Sequence, residues 1–167
     1  MGQGPRYKPA FRRRRTGQTD YTKRLALLKG RTTRLVVRRS NRAISVQFVD
    51  YDATGDIVRA AATSRDLVPH GWDTSLGSTP AAYLTGLLAG SRAKKAGLSE
   101  AILDLGRQEP VPGGRIYAAL KGVLDAGVEV PHGEDVLPEE GRLKGEHLSE
   151  APIAKFKNAV QKIQGGA

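Results

Sequence analysis

Cysteine is absent from the 167-residue sequence, and aromatic residues make up only 5% of it. Without cysteine the chain can form no disulfide, no thiolate metal site and no thiol nucleophile, which favours a reducing compartment such as the cytoplasm. With few aromatic rings, the hydrophobic fraction of 39% must build a small core mainly from aliphatic side chains. These absences exclude a disulfide-stabilised scaffold and a cysteine-dependent enzyme.

Long hydrophobic runs are also missing. The longest, residues 81–89, is interrupted by Thr85 and Gly86 and falls well short of the roughly 20 residues that a membrane helix needs. The first residues are charged rather than apolar, unlike a secretory signal. We therefore expect neither a membrane span nor a signal peptide.

Positive charge is present in excess and is concentrated in one quarter of the chain. The net charge is +10. Residues 1–42 contain 14 Lys and Arg and a single acid, Asp20, whereas residues 43–167 contain 13 basic and 16 acidic residues. Basic residues that served solubility alone would have no reason to segregate in this way, so the pattern predicts a polyanionic partner, RNA or DNA.

The centre of this basic arm is a run of four arginines, Arg12, Arg13, Arg14 and Arg15. Guanidinium groups bind phosphate in pairs of hydrogen bonds, and the nearby rings of Tyr7, Phe11 and Tyr21 can stack on unpaired bases, a mixture typical of RNA binding. A targeting signal or a solvated tail is the alternative, but the continuing positive charge through Arg42 favours RNA. We expect residues 1–18 to be disordered in the free protein.

The remaining pattern predicts an α/β fold with one sheet and covering helices. Three strands in an antiparallel meander are expected at residues 33–39, 43–51 and 56–63, and a short buried strand at residues 101–105. Helices are expected at residues 20–30, from the N-cap Thr79 to residue 96, from residue 115, after two glycines, to residue 126, and at residues 152–164, the last after an acidic, loop-like segment. Gly86 and Gly90 should allow close packing of their helix on the sheet, and Trp72 should anchor the core or a loop.

The first strand carries arginines in alternation with aliphatic residues. Because side chains of a strand alternate between faces, Arg34 and Arg38 share one face while Leu35 and Val37 share the other. We expect the two arginines to act together on RNA. The alternative is that they protect a sheet edge against aggregation.

Two other classes of function stay open. Residues 103–106 could end a strand at a nucleotide or S-adenosylmethionine site, as in an RNA methyltransferase, although the clustered glycines such a site needs are missing after Gly106. A DNA-compacting module would instead bind duplex DNA as well as structured RNA. His70, His132 and His147 are isolated, so we predict no metal site and no cofactor.

At residues 34–42, 86–97 and 104–122 the sequence resembles the large-subunit ribosomal protein family that binds 5S rRNA, numbered eighteen in bacteria and archaea and five in eukaryotes. The resemblance runs from residue 12 to residue 131, and residues 83–86, residues 125–132 and the C-terminal extension are similar to the archaeal branch. It implies a small mixed sheet with helices, no catalysis, and a structural role in the central protuberance of the large subunit.

The resemblance also implies partners and positions: 5S rRNA, large-subunit rRNA and neighbouring ribosomal proteins, with no membrane and no small-molecule substrate. The implied RNA-binding residues are Arg12, Arg13, Arg14, Arg15, Lys23, Arg24, Arg34, Arg38, Ser40, Asn41 and Arg42. We divide the chain into a basic arm with a short helix (1–30), an RNA-binding domain (31–131) and an acidic loop with a helical extension (132–167). The acidic stretch departs from the bacterial pattern.

Overall fold

The sheet forms where β-branched and aliphatic residues alternate with polar ones. In the computed structural model, which describes residues 4–147 and 150–165, the strands are β1 (Arg34–Arg39), β2 (Ile44–Asp50), β3 (Ile57–Thr63) and β4 (Ile102–Asp104). Their order is β3-β2-β1-β4, with β4 parallel to β1 and the other neighbours antiparallel. The predicted mixed sheet and its meander are therefore confirmed.

The helices are α1 (Arg12–Arg15), α2 (Tyr21–Lys29), α3 (Thr79–Lys95), α4 (Arg115–Asp125), α5 (Glu140–Lys144) and α6 (Glu150–Gly165). The prediction of Thr79 as N-cap was wrong by one residue, because the Ser78 hydroxyl accepts the hydrogen bond from the Ala81 amide. The acidic segment is not only a loop, since α5 forms there around the buried Leu143. Within the described residues, no helix has the length and apolarity to cross a membrane.

The core lies between one face of the sheet and the long helices. Leu35 and Val37 of β1 are fully buried, as are Val46 and Phe48 of β2. Trp72 is also fully buried, which confirms it as an anchor of the core. The sheet is thus amphipathic in the predicted sense, with its aliphatic face inside.

The C-terminal helix α6 adds to the same core. Its Phe156, Ala159 and Ile163 are buried, and the Phe156 ring lies 5.5 Å from the Tyr83 ring of α3. The division of the chain at residues 30 and 131 stays a prediction. Residues 1–3 of the predicted arm, and residues 148–149 and 166–167 of the predicted extension, lie outside the described residues.

Glycines set the distance between α3 and α4. A β-carbon at Gly86 would collide with the Ala119 carbonyl oxygen of α4, and one at Gly122 would collide with the Tyr83 carbonyl oxygen of α3. The expected close packing of Gly86 therefore occurs, but against a helix rather than against the sheet. The spacing of the glycines in α3 predicts that another element packs closely there, but it does not indicate whether that element is a helix or the sheet.

Gly86→Ala should lower the free energy of unfolding by about 2 to 3 kcal/mol, the usual cost of forcing extra volume into a close-packed interior. Alanine favours a helix over glycine by roughly 1 kcal/mol, so a loss would have to come from the collision with α4. Urea unfolding of the variant measures this loss. Gly133→Ala, at a site with open space around the new β-carbon, is the matched control, and equal stability of the two variants would contradict the packing.

Candidate nucleic-acid interface

The arginine run forms the single helical turn α1, and none of its residues is buried. The Arg13 Nε donates a hydrogen bond to the Thr19 hydroxyl at 3.0 Å. The Phe11 ring just before the run is 86% exposed. Both cations and a ring are therefore accessible in the arm. An isolated turn this short is marginal in water, and disorder of the arm in the free protein stays a prediction.

Helix α2 begins at Asp20, as the sequence predicted, because the Asp20 carboxylate accepts hydrogen bonds from the Thr22 and Lys23 amides at 3.0 and 3.1 Å. Lys23 is exposed. Arg24 has a different environment, since its Nη2 donates to both carboxylate oxygens of Asp56 at 2.7 and 2.9 Å. This pair attaches α2 to the turn that precedes β3.

Arg34 was predicted to contact RNA, and this stays a prediction, although the folded chain already supplies partners for its guanidinium group. Its side chain is only 3% exposed, and its two terminal nitrogens donate to Asp56 at 2.7 Å and Asp104 at 3.1 Å. Its terminal nitrogens are thus engaged by two carboxylates inside the protein, as a buried cation requires. The edge-strand alternative is wrong, because β1 lies between β2 and β4.

Asp104 receives a second arginine on the same face. Arg38 donates to the Asp104 carboxylate at 3.0 Å and to its carbonyl oxygen at 2.6 Å, and the Gly106 amide donates to the carboxylate at 2.8 Å. Burial alone would raise the pKa of Asp104, but hydrogen bonds and attraction from Arg38, the Gly106 amide and Arg34 outweigh it, so the pKa is lowered. The Arg38 side chain keeps 42% exposure and can still meet a ligand.

This geometry also bears on the possible nucleotide site at residues 103–106. A β-carbon at Gly106 would lie 2.9 Å from the Arg38 guanidinium carbon, so the protein's own cation packs closely against that glycine. The Asp104 carboxylate is fully engaged by Arg34, Arg38 and the Gly106 amide. The strand end therefore serves an internal ion-pair cluster rather than a nucleotide.

A groove of about 390 Å³ joins the arm and α2 to the face of the sheet opposite the core. Five of the predicted residues line it: Arg13, Lys23, Arg24, Arg34 and Arg38. Arg107, which sequence reasoning missed, lines it too and packs against Gly17 of the arm. A single arginine in a loop after β4 gives no signal in the sequence beyond its charge.

The predicted turn residues lie elsewhere. The Ser40 hydroxyl donates to the Ala43 carbonyl and accepts from the Ala43 amide, both at 2.9 Å, so it closes the β1–β2 turn. Asn41 and Arg42 are exposed at its tip. Along β1, Ser40 stands roughly 20 Å from Arg34, at about 3.3 Å per residue. The predicted set thus separates into an arm with its groove and a distant turn.

The family described as "Ribosomal large subunit proteins 60S L5, and 50S L18" matches residues 5–100, which is more than half of the chain. The chain belongs to this family. It is 58% identical over 149 residues to the large ribosomal subunit protein uL18 of Korarchaeum cryptofilum, covering 89% of this chain and 76% of that protein. The uL18 of Methanoculleus marisnigri is 53% identical over the whole chain and 95% of its own length. That of Haloarcula marismortui is 48% identical over 90% of this chain and 80% of its own.

Membership in this ribosomal family confirms the predicted recognition, including its archaeal character. The chain is a structural component of the large ribosomal subunit, and therefore of the cytoplasmic ribosome, and its family is not one of enzymes. Among the described residues, no three His, Cys, Asp or Glu side chains are grouped so that they could hold a metal ion.

Asp104→Asn should lower the free energy of unfolding at neutral pH by about 3 kcal/mol. This is the low end of the cost of removing one partner of a buried pair, because Asp56 still faces Arg34. Urea titration measures the loss. Glu140→Gln, which breaks an exposed pair with Lys144, is the control and should change stability little.

The stabilisation lost in Asp104→Asn should also depend on pH. Since the pKa of Asp104 is lowered in the folded chain, its stabilisation is complete above the unfolded value of about 3.9 and is lost as the pH falls through the folded value. The stability difference between wild type and Asp104→Asn should therefore be constant from pH 7 to about 5 and shrink below about 4. A difference that does not change with pH in acid would contradict the ionised pair.

Proposed function

We propose that this large-subunit ribosomal protein binds 5S rRNA and helps attach it to the large-subunit rRNA in the central protuberance. The observation that carries the proposal is the location of the positive charge. Residues 1–42 hold 14 of the 27 basic residues with a single acid, and the four arginines of α1 have no buried residue among them. Such a surface attracts phosphates and releases their counterions.

The shape of the arm suits a site between RNA segments. Two RNA helices that approach each other repel through their phosphates, and a thin chain rich in arginine can enter a space too narrow for a folded domain. The exposed Tyr7 and Phe11 rings, 50% and 86% accessible, offer stacking surfaces to unpaired bases. The arm can therefore neutralise charge and also favour single-stranded or irregular RNA over a regular duplex.

Exposure and pairing in the folded chain guide our proposal for the residues that touch RNA. We keep Arg12, Arg13, Arg14, Arg15, Lys23, Arg38, Asn41 and Arg42 as direct contacts. Arg24, Arg34 and Ser40 are assigned a supporting role, because Asp56, Asp104 and the Ala43 backbone already engage their polar groups. Their effect on RNA would come through the position of α2, β1 and the turn. Large-subunit rRNA and neighbouring proteins remain the other proposed partners.

A preference test separates this proposal from a DNA-binding module. Binding of the purified chain to 5S rRNA is measured with tRNA and duplex DNA as competitors, at two or more salt concentrations. A preference for 5S rRNA that persists at moderate salt supports the proposal. Equal competition by duplex DNA would support the DNA module, and indiscriminate binding that collapses with salt would refute a specific role for 5S rRNA.

Replacing Arg12, Arg13, Arg14 and Arg15 by alanine should weaken binding to 5S rRNA and reduce the slope of log affinity against log salt. If all four arginines neutralise phosphates, the slope should fall by roughly 3 to 4. The fourfold change to lysine keeps the charge and should keep most of the slope, and Asn41→Ala should leave the slope nearly unchanged. An alanine variant with the same slope as Asn41→Ala would exclude the arm as the main phosphate contact.

A further inference from the structure

Arg107, in the loop after β4, lies where the basic arm meets the folded domain. Its guanidinium group packs against Gly17, because a β-carbon added at Gly17 would lie 2.8 Å from the Arg107 Nη1 and 3.4 Å from its Cζ. Arg107 is not among the residues that the sequence predicted to bind RNA. The contact joins two segments that are far apart in the chain, and it places a further cation beside the arginine run.

Gly17 closes the helical turn that the arginine run forms. The Gln18 amide donates to the Arg13 carbonyl at 2.9 Å, and the Gly17 amide donates to the Arg14 carbonyl at 3.1 Å, which is the pair of bonds that commonly ends a helix at a glycine. Gly17 has a φ of 65°, a left-handed conformation that a residue with a β-carbon adopts only with strain. The direction of the arginine run is therefore set at the residue against which Arg107 packs.

The loop that carries Arg107 is held to the sheet on both sides of this residue. Before it, the Gly106 amide donates to the Asp104 carboxylate at 2.8 Å. After it, the Gln108 side chain forms two hydrogen bonds with the backbone of β1. Its Nε2 donates to the Arg39 carbonyl at 2.7 Å, and its Oε1 accepts from the Arg39 amide at 3.1 Å. The backbone from which the Arg107 side chain extends is thereby fixed relative to the sheet.

The charge of Arg107 is not neutralised within the described part of the chain. Arg107 is exposed and forms no ion pair or hydrogen bond with any residue that the structure describes. It lines the groove together with Arg13 and Lys23, and it also lines a cavity of about 650 Å³ together with Arg14 and Lys23. Among the described residues of that cavity the only acid is Asp20, which caps α2. Cations that share a cavity repel one another, and an anion between them removes that repulsion.

From these contacts we infer that Arg107 is a positioning residue of the RNA interface: it holds the arm at Gly17, and its charge meets the same RNA segment that the arginine run binds. The inference rests on the proposed function for its ligand. Fixing the arm at one end lowers the entropy that its ordering on RNA costs. An RNA segment bound by the arginine run would then continue over Arg107 towards Lys23 and Arg38, so that the arm and the groove form one surface.

The first test uses the full ¹⁵N-labelled chain without RNA. In Arg107→Gln the amide resonances of Gly17 and Gln18 should shift, because the group that packs against this turn is removed. Arg65→Gln, at an exposed arginine that lines neither the groove nor the second cavity, is the control and should leave both resonances in place. Unchanged Gly17 and Gln18 resonances in Arg107→Gln would overturn the contact, and the inference with it.

The second test is a double-mutant cycle on the affinity for 5S rRNA. Gly17→Ala and Arg107→Gln should each weaken binding, and the double variant should bind at least about threefold more tightly than the product of the two losses predicts, because both changes remove the same contact. Gly113→Ala is the matched control for backbone strain. Gly113 has a φ of 67° and open space around the new β-carbon, so this change should leave RNA affinity nearly unchanged. Two losses that multiply would overturn the positioning role.

The third test concerns the charge of Arg107. Arg107→Gln should reduce the slope of log affinity for 5S rRNA against log salt by about 1. Arg107→Lys keeps the charge and should keep the slope, and Arg65→Gln should leave it unchanged. Equal slopes for Arg107→Gln and Arg65→Gln would overturn the phosphate contact. Failure of the wild type to prefer 5S rRNA over tRNA refutes the proposed function instead, and the amide resonances still test the contact between Arg107 and Gly17.

Discussion

The pairing of Arg34 with Asp104 and Asp56 is the interaction on which the basic face of this protein depends. A guanidinium that is 3% exposed in the middle of a sheet would be strongly destabilising without its carboxylates. With them, it joins three parts of the chain that are far apart in sequence: β1, the short parallel strand β4, and the turn before β3. Asp56 extends the cluster to Arg24 and so fixes α2. These ion pairs thereby attach α2, the helix that carries Lys23, to the sheet.

The arginines of this protein therefore fall into two groups, those that pair with carboxylates inside the folded chain and those that are exposed. Arg34 and Arg24 are engaged by carboxylates, which lowers the pKa of Asp56 despite its partial desolvation. The arginines of α1 are all exposed, and the nearest acid in the sequence, Asp20, follows Arg15 by five residues. Arg38 lies between these cases, with a bond to Asp104 and nearly half of its side chain exposed. In a chain with 27 basic residues, charge alone does not identify the RNA contacts. Our proposal therefore weighs the exposure of each cation together with its carboxylate partners.

Local patterns in the sequence were sufficient for most of the fold. Alternation placed Leu35 and Val37 inside and Arg34 and Arg38 on the other face, and the Asp20 cap and the Gly30 end of α2 were readable from residue type. Contacts between residues far apart in the sequence could not be predicted from these patterns. Nothing near Arg34 in the sequence indicates Asp104, 70 residues away, or shows that Gly86 would meet Ala119. The ion pairs of Arg34 and the packing surface of Gly86 were missed for this common reason, since each depends on a neighbour that only the fold brings close.

The same limit applies to the two helix ends beside the β1–β2 turn. Gly113 and Gly114 can be recognised in the sequence as a helix start, yet the cavity beside them is also lined by Thr79 and Arg39, which come from a different helix and a strand. Their convergence follows from the glycine contact between α3 and α4, because a wider spacing at Gly86 and Gly122 would separate the two amino ends. Helix packing in the core thus sets the size of a polar cavity at the surface. A substitution such as Gly122→Ala can in consequence alter the shape of this cavity without touching any residue that lines it.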